Sequence, residues 1–598
     1  MAKTEDSPYE ALTPSNRVAE LRSLHLDYYV DLAKRSETEL RGPGQAAWWR
    51  LLDSEHDNLV QALEWSTEQQ DEEAALRLAT VVGQVWWSVR GDHRPGQRWL
   101  ERALEVGKTP SAARALALGL LGRLVLSNER AKAHGYVRES LDVARQVADR
   151  KAEAIALMGL GKFFQYEEGG HAAARSMLEQ ALSIAHETHD ELLIADATWS
   201  LGGKVSQEEP EAFRASYMQS LEVYRRLGDR ENAAWLLYGL GWGESDIADA
   251  EKWALEAMTI ARELENDVLI LCVIELQAFI DYYSGNFDAA AAHWAAGAEE
   301  YRKPGRRWPV KWGVSWMLGD LTAVDVQRQD LDSAMAHIVE ASQIEEEDGT
   351  KQGIAWSKRE MGFLKVLAGE VELGRALLDE GIALDREVGT PGRIRMGLSQ
   401  LGESRFIAGD LEGARSAFEE AVAISRDYSN RPDAHCLSQL AHVHAELGDP
   451  ASAEVSLAEA LAVLGAPDWV NSTVRQQVLT QSAGVARARG DIDKSNEFSA
   501  SAVEACLALG HKPNLAHALE ERAALSLALG HPEKAARIYG AASALRGEIG
   551  VPVPYHLKRL YDRDISELRN AVGAAVFESA FSEGEGLSLD DAVALARF

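Results

Sequence analysis

A chain of 598 residues would hold about four domains of ordinary size unless it is a repeat array. It carries 62 basic against 94 acidic residues, a net charge of −32, and so acidic a field disfavours direct nucleic-acid binding and attraction to anionic lipid. Cys272, Cys436 and Cys506 are far apart, which excludes a disulfide framework and a thiolate zinc site on spacing, and the stretch MAKTEDSPYE has no apolar core of a signal peptide; the expectation is a reducing cytoplasm.

In chain order, residues 1–110 read as helical and rich in tryptophan, with no clean repeat. From residue 111 the dominance of Ala, Leu, Glu and Arg, the apolar i, i+3, i+4 spacing and the scarcity of proline predict helix throughout. The stretch at residues 268–280 is the most apolar, but Glu275 interrupts it and it is too short to cross a bilayer. The pattern restarts about every forty residues, near Ala113, Lys151, Glu191, Glu231, Val268, Arg306, Lys351, Pro391, Arg431, Trp469 and Pro513. Within the later units, Gly285, Gly369, Gly409, Gly448, Gly490 and Gly530 mark a turn, and Gln329 stands in that column once. Small residues follow five positions on, from Ala290 to Ala535, and twelve positions on, from Gly297 to Ala542. Between them lies a larger, mostly apolar residue: Trp294, Ile338, Leu378, Phe418, Leu457, Ser499 or Tyr539.

Close helix packing explains these columns. Glycine supplies the left-handed turn, small residues let antiparallel backbones approach, and the large residue fills the groove between them. One hairpin cannot bury its own apolar face, so its neighbours must. The expected architecture is all-α: a right-handed superhelical solenoid of about eleven hairpins over residues 111–552. Residues 1–110 and 553–598 are expected to cap it.

Residues 235–242, WLLYGLGW, resemble the start of a tetratricopeptide repeat through Trp235, Tyr238, Gly239 and Trp242, although the period exceeds the usual thirty-four. The N-terminal segment carries Tyr28, Tyr29, Glu39, Trp48, the run at residues 55–59, Ala62, Trp86, Gly91 and the run at residues 99–101. It resembles the linker ahead of the repeat arm in LuxR-type and SARP-type, MalT-like actinobacterial signal-transduction ATPases. The tail, from PEKAARIYGAASALRGEIG onward, resembles the end of such arms, with Ser588 and Asp591 placed as a helix cap. The sequence contains no G-x-x-x-x-G-K-[ST] loop and no separate basic recognition helix. The resemblance therefore implies a sensor arm without its ATPase and DNA-binding parts.

Catalytic patterns are weak. His186 and His189 lack H-E-x-x-H spacing, and His444 faces away from His435 and His442. Asp491 and Asp493 open like a calcium loop but lack its later ligands. The acidic run at residues 345–348 reads as a solvated junction. The expectation is a non-enzyme, with no cofactor and no metal. Counting from each turn places Glu275, Phe279, Tyr282, Tyr283, Trp316, Trp356, Arg359 and Phe363 on the concave face. The only dense basic stretch, residues 301–316, adds Trp312 and a rim of Arg306 and Arg307.

Two readings of these residues compete. Aromatics at helical spacing are ordinarily core; alternatively they line a groove for a protein or peptide partner, an acidic segment or an anionic small molecule. The functional expectation is a cytoplasmic regulatory sensor or adaptor in signalling or transcription. An assembly scaffold without a small-molecule ligand is the alternative.

Overall fold

Helix follows helix because each start is capped and each stop is marked. The computed structural model describes residues 14–597 apart from 89–93, 127–128, 165–169, 206–209, 245, 303–310, 430–431 and 465–468, and no strand occurs among the described residues. Five helices come first: α1 (Pro14–Glu39), α2 (Gln45–Ser54), α3 (His56–Glu68), α4 (Glu72–Ser88) and α5 (Arg94–Val106). Eleven hairpins succeed them. The first four are α6 (Ala112–Val125) with α7 (Arg130–Gln146), α8 (Arg150–Phe164) with α9 (His171–Thr188), α10 (Glu191–Val205) with α11 (Pro210–Leu227), and α12 (Arg230–Gly243) with α13 (Ile247–Glu263). The next four are α14 (Asp267–Tyr283) with α15 (Phe287–Arg302), α16 (Lys311–Arg328) with α17 (Leu331–Asp348), α18 (Lys351–Leu367) with α19 (Val371–Val388), and α20 (Pro391–Ile407) with α21 (Leu411–Ser429). The last three are α22 (Ala434–Glu446) with α23 (Pro450–Val463), α24 (Trp469–Ala488) with α25 (Ile492–Leu509), and α26 (Lys512–Ala528) with α27 (Pro532–Ile549). Helices α28 (Tyr555–Val572), α29 (Ala574–Glu585) and α30 (Leu589–Ala596) end the described chain.

The turn column is a backbone requirement. Gly285, Gly369, Gly409, Gly448, Gly490 and Gly530 all have positive φ, and Gln329 adopts the same conformation at φ 59°. The residue after the turn often caps the second helix. Asp330, Asp449 and Asp491 accept from the backbone N–H groups of Ser333, Ser452 and Lys494. Asp491 is thus a helix cap, which accounts for its calcium-like motif. At the far end Ser588 Oγ accepts from Asp591 N at 3.2 Å, as its spacing predicted.

The small columns are buried in every later hairpin, and so are the large residues between them. At α18–α19 two glycines face each other: a side-chain carbon on Gly374 would lie 2.5 Å from Gly362 O, and one on Gly362 would lie 2.7 Å from Gly374 O. First helices of successive hairpins come closer to one another than second helices do, so the first helices form the inner, concave wall. Contacts between residues far apart in sequence tie the curve together. Arg41 bridges Asp196 and Asp229, Gly285 abuts Pro513, and Gln329 Nε2 donates to Val553 O at 2.9 Å.

One acidic reading holds only in part: Glu346 and Glu347 are exposed, but Glu345 departs from it. Glu345 is not solvated: it is buried at the end of α17, where Ser315 Oγ and Thr350 Oγ1 both donate to it.

Candidate functional site

Helix α14 carries Glu275, Phe279, Tyr282 and Tyr283, all of them half-buried. Phe279 is the hub of an aromatic cluster. Its ring lies 5.4 Å from Trp242, 5.2 Å from Trp294 and 6.1 Å from Tyr283. Tyr282 packs on Phe287 at 5.1 Å and on Trp294 at 6.1 Å. Both competing readings are therefore partly realised on one helix: the rings roof the hairpin core and keep an exposed edge.

The other predicted residues divide. Trp316 on α16 is 44% exposed, whereas Trp356 is wedged so tightly against Gly319 that it fills the space between α16 and α18. Phe363 is half-buried on α18. Arg306 and Arg307 lie outside the described residues, and of Trp312 only the helical backbone is described. Trp316→Ala is expected to change stability by less than about 0.5 kcal/mol, as at ordinary surface positions. Trp356→Ala should cost roughly 2–3 kcal/mol, below the full-burial range because the ring is only half-buried. Urea titration of both variants decides; equal losses would mean that Trp316 is core as well.

Arg359 requires a correction: it is not on the concave surface. It is fully buried, with Nε 2.9 Å from Asp385 Oδ2, and its Nη1 donates to Gln400 Oε1 at 2.7 Å. Two glycines make room for its stem. A side-chain carbon on Gly381 would lie 2.5 Å from Arg359 Cγ, and one on Gly397 would lie 2.9 Å from Cδ. Counting along α18 put the residue near the right face, but these glycines on α19 and α20 let it sink between helices.

The inner wall also holds a feature that the sequence reading missed. Glu275, Asp320, Glu360 and Glu403 come from α14, α16, α18 and α20 and form a row within electrostatic reach of one another. Burial in the groove pushes the carboxyls of Glu275 and Glu403 up to about 7. Asp320 stands well above its ordinary value, first through burial and then through the neighbouring Glu275 and Glu360. Glu360 is also raised by burial, and it accepts from Gln400 Nε2 at 2.7 Å. The signal was available: Glu275, Asp320 and Glu360 precede their turn residues by nine or ten positions. Nearer the N-terminus the wall is basic, with Arg123 and Lys162 exposed on α6 and α8 and the Lys162 ammonium 5.6 Å from the centre of the Trp199 ring.

No group of His, Cys, Asp or Glu able to hold a metal ion occurs among the described residues, and no described helix is long and apolar enough to cross a membrane. A hollow of about 490 Å³ lies elsewhere, between Pro43 and the α11–α13 region, where Arg225, Arg230 and Glu256 line it.

The fold is an all-helical solenoid of tetratricopeptide-like hairpins. Residues 393–466, covering α20 to α23, match the tetratricopeptide repeat family. Proteins bearing the name HTH-type transcriptional regulator, from Mycobacterium tuberculosis and Mycobacterium bovis, are 28% identical over 296 residues, 47% of this chain and 32% of theirs. The chain thus spans about a third of the length of the curated relatives it matches. Among solved structures it is similar to the APC/C hetero-tetramer Cut9–Hcn1, with TM-score 0.48, 13% identity, and coverage of 93% of this chain and 98% of that one. It is also similar to a Rap protein complexed with competence and sporulation factor, with TM-score 0.40, 12% identity, and coverage of 69% and 99%.

Proposed function

We propose that the chain is a non-catalytic regulatory adaptor in transcriptional control, which seats a protein or peptide segment on the inner wall of its middle hairpins. The observation that supports this is the wall itself: the part-exposed rings of Phe279, Tyr282 and Trp316 stand on the first helices α14 and α16, and Glu275, Asp320 and Glu360 stand on the first helices α14, α16 and α18. Aromatic rings give a segment apolar contact at low entropic cost, and the carboxylates select its charge. The expected cationic rim at Arg306 and Arg307 would favour an anion; the described charges favour a segment bearing Lys or Arg. The mycobacterial relatives' name supplies the regulatory context.

The raised carboxyls give this reading a pH signature. A bound cation favours their charged forms and lowers their proton affinity, so binding releases protons. Affinity therefore rises with pH through about 7, where free Glu275 ionises, and levels off only once the carboxyls of the row are charged. Calorimetry with a short Lys- and Arg-rich peptide, in two buffers of different ionisation enthalpy, measures both affinity and proton release. The paired variant Glu275→Gln/Asp320→Asn is expected to bind at least about tenfold more weakly, the scale of two lost charge contacts. Tighter binding of an acidic peptide, or unchanged affinity in that variant, would refute the reading.

A further inference from the structure

Helix α28 leaves the last hairpin and lies back across the inner wall, where its contacts are unlike the rest of the array. Its C-terminal half belongs to the terminal core: Leu568 is fully buried, and Tyr539 OH donates to Asp564 Oδ2 at 3.1 Å. Its first two turns instead reach α20 and α22 through polar groups. His556 Nδ1 lies 3.9 Å from Glu403 Oε1, Arg559 pairs with Glu446, and the Arg559 guanidinium stands 5.8 Å over Phe406. In these two turns only Leu557 is buried, and half-buried Tyr561 packs edge-on against Tyr539 at 5.7 Å. So little apolar burial places the segment at the weak end of the molecule's stability.

Histidines fill the seam. The His556 ring is 6.0 Å from His442, and His442 stacks at 6.4 Å on Phe406. His442 Nδ1 is buried with no hydrogen-bond partner, so a proton there would find no acceptor.

We propose that the first two turns of α28 are an acid-opened clasp, which holds the terminal hairpin to the α20–α23 hairpins and frees the concave wall over Phe406 when its histidines charge. The loop ahead of the clasp is anchored separately, by Gln329 on Val553 O and by Val551 in the core of α14–α18. Tight glycine contacts at Gly540 and Gly584 fix α29 on α27. The clasp can therefore lift without unfolding what flanks it.

The charged neighbours set the sign. On α22 the seam sees His435, His442 and Glu446; on α20, Glu403; on α24, Arg487; on α26, His517, Glu520 and Glu521. On α27 it sees Arg546 and Tyr539, on α29 Glu578 and Glu585, and on α28 itself Lys558, Arg559, Tyr561, Asp562, Arg563 and Asp564. His442, His517 and His556 are each pushed down to about 3, first by burial and then by neighbouring histidines or Arg546. The closed clasp thus holds them neutral; closure is full above the ordinary histidine value and is lost as pH falls below it. Between pH 7.5 and 5.5 each histidine favours opening by about tenfold. Glu403, raised to about 7, opposes them and restores about twentyfold over the same interval, leaving a net opening of some tens of fold.

Hydrogen exchange on the full chain tests this through the amides of residues 558–563, after correction for the intrinsic effect of pH. Their protection is expected to fall tens of fold between pH 7.5 and 5.5, while α29 stays protected. His442→Asn should shallow that fall by about tenfold, and Glu403→Gln should steepen it. The proposal is overturned if wild-type protection is unchanged with pH, if α29 loses protection in parallel, or if the two variants behave alike.

Discussion

Asp385→Ala is expected to lower stability by about 3–5 kcal/mol, because it strands the Arg359 guanidinium in a fully buried site. The loss is not the strength of the pair. Burial itself pushes the Asp385 carboxyl above its ordinary range, a sign that the site taxes charge, while Arg359 and Arg393 pull it back. Removing one partner leaves that tax in place without the attraction that offsets it. Gln400 can still accept from Arg359, but it also donates to Glu360, so it cannot take over for the carboxylate. Replacing both partners tests this account: Arg359→Met/Asp385→Leu should return to within about 1 kcal/mol of the parent, since the unbranched Met stem suits the space between Gly381 and Gly397. Urea unfolding of Arg359→Met, Asp385→Leu and the double variant closes the cycle, with Asp385→Ala measured beside them. If the double variant is as unstable as Asp385→Ala, the pair contributes through packing rather than charge.

The same residue shows where a sequence stops being legible. A left-handed turn requires glycine wherever it occurs, so a column of glycines reports backbone geometry directly, and even Gln329 could be placed in it. The small residues that follow report helix approach in the same local way. Arg359 is different, because its depth depends on Gly381 and Gly397 in other helices, and counting along α18 cannot sense them. The row Glu275, Asp320, Glu360 and Glu403 is dispersed over four hairpins and becomes a charged surface only when the first helices stack. The fold of α28 onto α20 and α22 is tertiary in the same sense: His556 and Glu403 are 153 positions apart with no local pattern linking them. Three of the four carboxylates recur nine or ten positions before their turns, so the row was periodic too, but the depth of Arg359 and the return of α28 arise only from the packing of distant helices.

Trp294→Ala should be the second large loss, roughly 3–4 kcal/mol, and it links stability to the proposed groove. Trp294 is only 1% exposed, sits between the small positions Ala290 and Gly297 of α15, and supports the rings of Phe279 and Tyr282 from behind. Truncation leaves a void that two tightly stacked helices cannot close. One term works in the other direction. The indole Nε1 is buried without a hydrogen-bond partner, so its removal relieves a cost of about 1 kcal/mol or more and keeps the loss below the top of the range for tryptophan. Trp294→Phe separates the two effects: it deletes the unpaired N–H yet keeps most of the ring, and should cost less than about 1 kcal/mol. Because each hairpin contacts chiefly its neighbours, the alanine variant should expose α14 and α15 to hydrogen exchange while the terminal hairpins keep their protection. Its affinity for a cationic peptide should also fall, although Trp294 itself is buried, because Phe279 and Tyr282 lose their backing. The phenylalanine variant should keep that affinity. A uniform loss of protection along the chain would instead mean that the array unfolds as one cooperative unit.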